Sequence, residues 1–279
     1  MSCRCRGAQK ASSTPSRRRA CQLSVEGCRS MKKFGIRFAL AAAALVAAIG
    51  AQAGVLRTTI NFDPVDTSSL ALGDLGVLLN GDSFTQAGLD GRTMFFDAFS
   101  NSAIAQPGDL VGSLLSGACT DLLCPVNNPS SYLAMLDDGA VVFGSTDGFR
   151  FSVKSFNASF IGNGDAITTS TPGYVALQGV RNNIPTTAYF ALSGVDGNGR
   201  LNFGTVNTGA FGNQEFDFVF AFGFSCTAFD GSQCLAFSSN QAQFALDDIT
   251  IEHVPEPASL ALLAIAGLAA GRVTRRRAA

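Results

Sequence analysis

The sequence predicts an all-β fold, a single antiparallel β-sandwich filling residues 54–252. Three observations carry this expectation. Short runs of five to nine residues alternate apolar with polar or small side chains, which is the period of a strand. Glycine, asparagine and aspartate punctuate those runs where turns need them. Long apolar stretches at helical spacing are scarce in this region, and every phenylalanine except Phe34 and Phe38 lies within it.

Taken in order, residues 58–63 (TTINFD) predict the first strand. Residues 64–148 are less regular. SSLALGDLGVLLNGDSF (68–84) suits a short helix or a loop crossing one edge, and DDGAVVFGS (137–145) suits a strand after a turn. GFRFSVKSFNASF (148–160) predicts a strand with Phe149, Phe151 and Val153 on one face. GYVALQGV (173–180) alternates Tyr174, Ala176 and Gln178 with Val175, Leu177 and Gly179. TTAYFALSG (186–194) leads into the turn VDGNGR (195–200), which echoes the start of a calcium loop but lacks the later acid. QEFDFVFAFGFS (214–225) sets Phe216, Phe218, Phe220 and Phe222 on one face, expected to be the core face of its strand. QFALDDITI (243–251) closes the series. No internal repeat or clean boundary divides the body, so one domain is expected.

Charge is segregated along the chain. Residues 1–53 hold ten Lys or Arg and one acid; residues 54–254 hold six and nineteen, a net of −13; residues 255–279 hold four Arg and one acid. Basic ends around an acidic middle are the pattern of an exported chain whose ends deal with a membrane. An acidic body argues against nucleic acid as a partner, because phosphate binding needs Lys and Arg.

At the front, Lys32, Lys33 and Arg37 precede an apolar run over residues 38–49, and Ala51, Gln52 and Ala53 form a small-x-small site. Residues 31–53 therefore predict a secretory signal helix, cut by signal peptidase between Ala53 and Gly54. Residues 1–30 carry Cys3, Cys5, Cys21 and Cys28 without metal-site spacing. They are expected to be a mis-called or disordered extension, with Met31 the true start.

At the back, Val254, Pro255, Glu256 and Pro257 cannot continue a strand, because two prolines fix φ and remove two N–H donors. Residues 258–271 are apolar but for Ser259, and Arg272, Arg275, Arg276 and Arg277 follow. A helix of that length falls short of the roughly 30 Å of bilayer hydrocarbon unless Arg272 snorkels. The arginines stay on the cytoplasmic side and place the acidic body outside.

This tail, residues 253–279, resembles the PEP-CTERM sorting signal of Gram-negative bacteria: a Pro-Glu-Pro tripeptide, a short apolar transmembrane helix and an arginine cluster, in that order. The resemblance implies recognition by an exosortase, a membrane-embedded cysteine transpeptidase, with cleavage near Pro255, Glu256 and Pro257. The chain would then be held transiently at the inner membrane before reaching the cell surface or the extracellular matrix. Gln243, Phe244 and Asp247 resemble the Gln-Phe-x-x-Asp group of PEP-CTERM proteins. The opening TTINFD and closing QFALDDITI also resemble the ends of jelly-roll carbohydrate-binding and adhesion modules, whose first and last strands pair. That likeness implies a jelly-roll-like sandwich. It also implies a structural calcium held by Asp63 with Asp247 or Asp248, against the alternative that Asp247 and Asp248 simply face water.

Four cysteines remain after export, Cys119, Cys124, Cys226 and Cys234. An even number in an oxidising compartment predicts two disulfides, with the local pairs Cys119–Cys124 and Cys226–Cys234 favoured among three connectivities. The body's one histidine, His253, sits beside the sorting motif, so no Ser-His-Asp triad is expected. Glu215 and Glu252 are the only glutamates of the domain, a thin supply for a two-carboxylate glycosidase. The expectation is a non-catalytic surface or exopolysaccharide-matrix protein without a cofactor. A carbohydrate-binding module is the alternative, with Tyr132, Tyr174 and Tyr189 as discriminating residues, and a secreted hydrolase comes after it.

Overall fold

The structure, a computed structural model, describes residues 55–253 except 64, 89–90, 117–118, 120–121, 163–166, 168–169, 227–232 and 238–240. The extension, the signal helix and the helix of the sorting segment lie outside the described residues. The strands, in chain order, are β1 Leu56–Ile60, β2 Val77–Leu79, β3 Ser83–Ala87, β4 Thr93–Ser100, β5 Leu110–Ser116, β6 Ser131–Met135, β7 Gly139–Ser145, β8 Ser152–Phe160, β9 Gly173–Arg181, β10 Ile184–Leu192, β11 Gly204–Asn207, β12 Phe218–Cys226, β13 Cys234–Leu235 and β14 Phe244–His253.

They form the expected antiparallel sandwich. The first sheet runs β11-β8-β14-β6-β5-β2, with β1 added to β14. The second runs β10-β9-β12-β7-β4-β3, with β13 added to β12. Inward side chains of both sheets meet in one core. Phe96 lies at its centre, with ring centroids of Phe84, Phe62 and Phe143 at 5.1, 5.3 and 5.7 Å. Such ring pairs add to the burial of their area.

β14 is the spine of the first sheet. β8 flanks one side along nearly its whole length. On the other side β6 pairs with residues 244–246 and β1 with residues 249–253. The first and last strands therefore pair as expected, from Leu56 opposite His253 to Ile60 opposite Ile249. Between the two partners the register of β14 against β8 shifts, and Asp248 takes a left-handed φ of 47°. The bulge lets Leu246 and Ile249 both point inward although three positions separate them.

Most strands fall where alternation put them. The β9–β10 hairpin turns through Asn182 and Asn183, both left-handed at φ 51° and 63°, the turn that matches strand twist. Residues 68–84 are neither helix nor a plain loop: a 3-10 turn at Gly73–Leu75 leads into β2 and β3. The less regular stretch also hides β4, β5 and β6. In β6, Tyr132, Leu133, Ala134 and Met135 are all fully buried. A strand covered on both faces shows no alternation to read.

The phenylalanine stripe corrects the expectation. Phe216 is buried, held by a bridge to Phe151. Phe218, Phe220 and Phe222, with Phe224, instead lie half-buried on the outer face of the second sheet, while Val219, Ala221 and Gly223 point inward. The reason is space. A Cβ on Gly223 would come within 2.4 Å of the Ala242 carbonyl oxygen and 2.9 Å of the Phe244 ring. The first sheet approaches too closely there for rings on β12 to turn inward.

This arrangement separates two phenylalanines that look alike in sequence. Phe96→Ala is expected to cost about 3–5 kcal/mol of unfolding free energy, the range for a buried aromatic. Phe220→Ala is expected to cost less than half as much, because its ring keeps solvent contact on the outer face. Urea denaturation of the two variants checks this, and equal losses would refute the outward placement.

Candidate functional site

Two places gather the residues that the sequence singles out: the junction in the middle of β14 and the pole where the chain's two ends leave the sandwich. At the junction, Asp247 is buried at 1% exposure. Its Oδ2 accepts hydrogen bonds from Asn128 Nδ2 at 2.5 Å and Ser130 Oγ at 3.3 Å, and its Oδ1 accepts the Asp248 backbone N–H at 2.8 Å. Burial pushes the Asp247 pKa up to about 6, with the Asp248 charge adding to the rise while its hydrogen bonds oppose it. Asp63, just past β1, accepts the Ser131 N–H at 2.9 Å and an Asn61 side-chain N–H at 3.0 Å. Asp63 and Asp247 thus grip adjacent residues at the start of β6 and splice β1 to β6 along one flank of β14.

Asp248 departs from this pair. It is exposed and accepts from Asn157 Nδ2 on β8, at 2.8 Å. The donors around the three aspartates are amides and hydroxyls. Among the described residues no group of three or more His, Cys, Asp or Glu side chains is placed to hold a metal ion. The Asp196 loop is a turn: its Oδ1 accepts backbone N–H groups of Asn198 and Arg200, which hold its carboxyl below the ordinary range.

Gln243 and Phe244 are buried as well, at 4% and 0% exposure, with Phe244 in the central core. All three residues of the Gln-Phe-x-x-Asp group therefore have structural places. Phe244 fills the sandwich, and Asp247 ties down the turn of residues 128–130. What sequence reading misses here is Asn128 and Ser130, whose only signal is an Asn-Pro-Ser turn far from Asp247 along the chain.

At the pole, Glu252 accepts from Arg57 Nε at 2.8 Å and Lys154 Nζ at 3.0 Å, joining β1, β14 and β8 across their ends. Partial burial opposes ionisation, yet the two cations hold the Glu252 carboxyl below its usual range. His253, the last residue of β14, is buried at 2% and packs its ring 4.6 Å from that of Phe149. Glu215 lies 3.9 Å from Arg181 at the other sheet. The two glutamates thus each serve a cation in a different sheet.

Both disulfides join the expected local pairs, Cys119–Cys124 and Cys226–Cys234. The first belongs to a small second core of Cys124, Tyr132, Ala134, Leu136, Ile161 and Ala245, which covers the outer face of the first sheet. Tyr132 is fully enclosed there against Phe203, and burial pushes its hydroxyl pKa up to about 12. The second disulfide fastens β13 to the end of β12. The other two tyrosines sit on the outer face of the second sheet: Tyr174 half-buried, and Tyr189 61% exposed beside Phe224.

Residues 253–277 match the family description "PEP-CTERM protein-sorting motif". The chain therefore carries this motif, which marks an exported protein sorted by an exosortase and anchored in the membrane until it is cut. The match begins at the last residue of β14 and does not reach Gln243, Phe244 or Asp247. No curated protein matches the chain.

The raised pKa of Asp247 has a signed consequence. Between about pH 4 and 6 the folded state holds a proton that the unfolded chain has released, so this group adds stability as pH falls from 7. Asp247→Asn removes that contribution. Relative to the variant, the parent is expected to gain stability between pH 7 and pH 5, by thermal or urea denaturation. A difference that stays flat with pH, or grows the other way, would show that Asp247 is not held in this environment.

Proposed function

We propose that the mature protein is an intact, non-catalytic β-sandwich delivered by exosortase processing to the cell surface or the exopolysaccharide matrix. One observation carries this reading. Both expected cuts fall just outside paired strands, at one pole of the sandwich. β1 starts at Leu56, two residues after Gly54, and β14 ends at His253, two residues before Pro255. Leu56 and His253 are register partners, so removal of both terminal segments leaves the closing pair of strands complete. A domain whose ends are trimmed without loss of a strand is suited to release as a finished module.

The chemistry of the body supports the same reading. Two disulfides suit an oxidising compartment. A net charge of −13 over residues 54–254 favours solubility outside the cell. The notable carboxylates are committed to the fold: Asp247 to the turn of residues 128–130, Glu252 to Arg57 and Lys154, and Asp217 to Arg150 and the Asn182 N–H.

Intact mass and C-terminal sequencing of the protein from its host, with and without the exosortase, test the proposal. The expected product begins at Gly54 and ends among Pro255, Glu256 and Pro257 only when the exosortase is present. It resists proteolysis as a folded unit. A chain that still ends in Arg277-Ala278-Ala279 in both strains, or a product cut inside β14, would overturn it.

A further inference from the structure

The two outer faces of the sandwich differ. The first sheet's outer face is covered over β6 and the start of β14 by the small second core around the Cys119–Cys124 disulfide. The second sheet turns outward a belt of rings. Phe99 on β4, Phe220, Phe222 and Phe224 on β12, and Tyr189 on β10 touch one another or their neighbours with ring centroids 5.4 to 6.1 Å apart. Strand register places these residues on one face. Asp97 is the one charged side chain among the described outward positions of the six strands, and it already accepts a hydrogen bond from Ser83.

We propose that this aromatic face is a self-association surface, where a second copy of the same domain docks sheet to sheet. Three observations favour that occupant. The first is charge. The domain carries −13 over residues 54–254, so two copies repel over most approaches. The face with a single carboxylate is the one through which they can meet. The second is chemistry. Gln178 donates to Thr187 and Ser83 to Asp97, so these four polar side chains of the face are already engaged with one another. Neighbouring rings are inclined to one another, from 34° for Phe222 and Phe237 and 45° for Phe222 and Phe224 to 83° for Phe99 and Phe220, so they present no common plane on which a sugar chain would stack. Interdigitation with a like surface suits such a relief. The third is size. Six strands of five to nine residues at ~4.8 Å spacing give a face of roughly 700 Å². A stable interface covers about 800 Å² per partner. A face with one charged side chain, paired with its own copy about a two-fold axis, needs no other complementary partner.

The test is sedimentation equilibrium on the processed protein from its host, alongside Tyr189→Asp and Phe220→Ser, with circular dichroism to confirm that each variant is folded. The parent is expected to be dimeric in the micromolar range, and each folded variant to weaken the dimer at least ~10-fold. Tyr189 is exposed enough that its variant keeps the fold if Phe220→Ser does not. A parent that stays monomeric at hundreds of micromolar overturns the proposal. So does a dimer indifferent to both folded variants, which would use another surface. A monomer that binds the host's exopolysaccharide, and loses it with Tyr189→Asp, overturns it in favour of a sugar platform. Repeating the measurement on chain from a strain lacking the exosortase separates this outcome from any failure of C-terminal processing.

Discussion

The antiparallel pairing of β1 with β14 is the constraint on which the rest of this sandwich depends. β14 is flanked by β8 on one side and by β6 and then β1 on the other, so the chain's last strand is the interior of the first sheet. No earlier subset of strands can complete that sheet, because β6 and β8 meet only through β14. The contacts that close the fold join positions nearly two hundred residues apart, Leu56 with His253 at the extreme. Loop closure of that length opposes folding until many contacts form together. The first sheet therefore cannot close until β14 is in place.

One flank shared by two partners creates a seam, and the aspartates are there to manage it. Where the start of β6 and the end of β1 adjoin along β14, the strand would expose unpaired backbone. The bulge at Asp248 absorbs the register shift, while Asp63 and Asp247 supply acceptors for the Ser131 N–H and for Asn128 and Ser130. A buried carboxylate is costly, and the shift of Asp247 to about 6 is the trace of that cost. It persists because three donors converge on it. The residues that look from sequence like a candidate ligand set are thus the clasp of the sheet.

Much of this was legible in the sequence, and the gaps have physical causes. Alternation marked β7, β8, β9, β10, β12 and β14, because each has one face richer in large apolar residues. It could not mark β6, which is buried on both faces, and it gave no hint of the seam, which depends on the distant turn of residues 128–130. The sorting motif was fully legible because its chemistry is local: two prolines, an apolar run and arginines. The β12 stripe shows a subtler limit. Alternation tells which residues share a face, not which face looks inward. Phenylalanine was the larger apolar set, so ranking by hydrophobicity turned it toward the core. The packing went the other way because Phe62, Phe96, Phe143, Phe151 and Phe244 already fill the interior, so the β12 face that carries Val219, Ala221 and Gly223 fits against them.

That inversion has a consequence for how the molecule meets its surroundings. Turning four rings outward on β12 forgoes burial that folding alone would have gained, since each ring keeps part of its apolar area in water. The disulfides divide the labour. Cys119–Cys124 anchors a segment that closes off the first sheet. Cys226–Cys234 fixes the short strand β13 beside the end of β12, at the margin of the second sheet, and Phe237 just beyond it packs against Phe222 of the belt. The strands that carry the belt's rings, β4, β10 and β12, are all distinct from β1 and β14, so the pole where β14 meets the sorting motif and the aromatic face belong to different sheets.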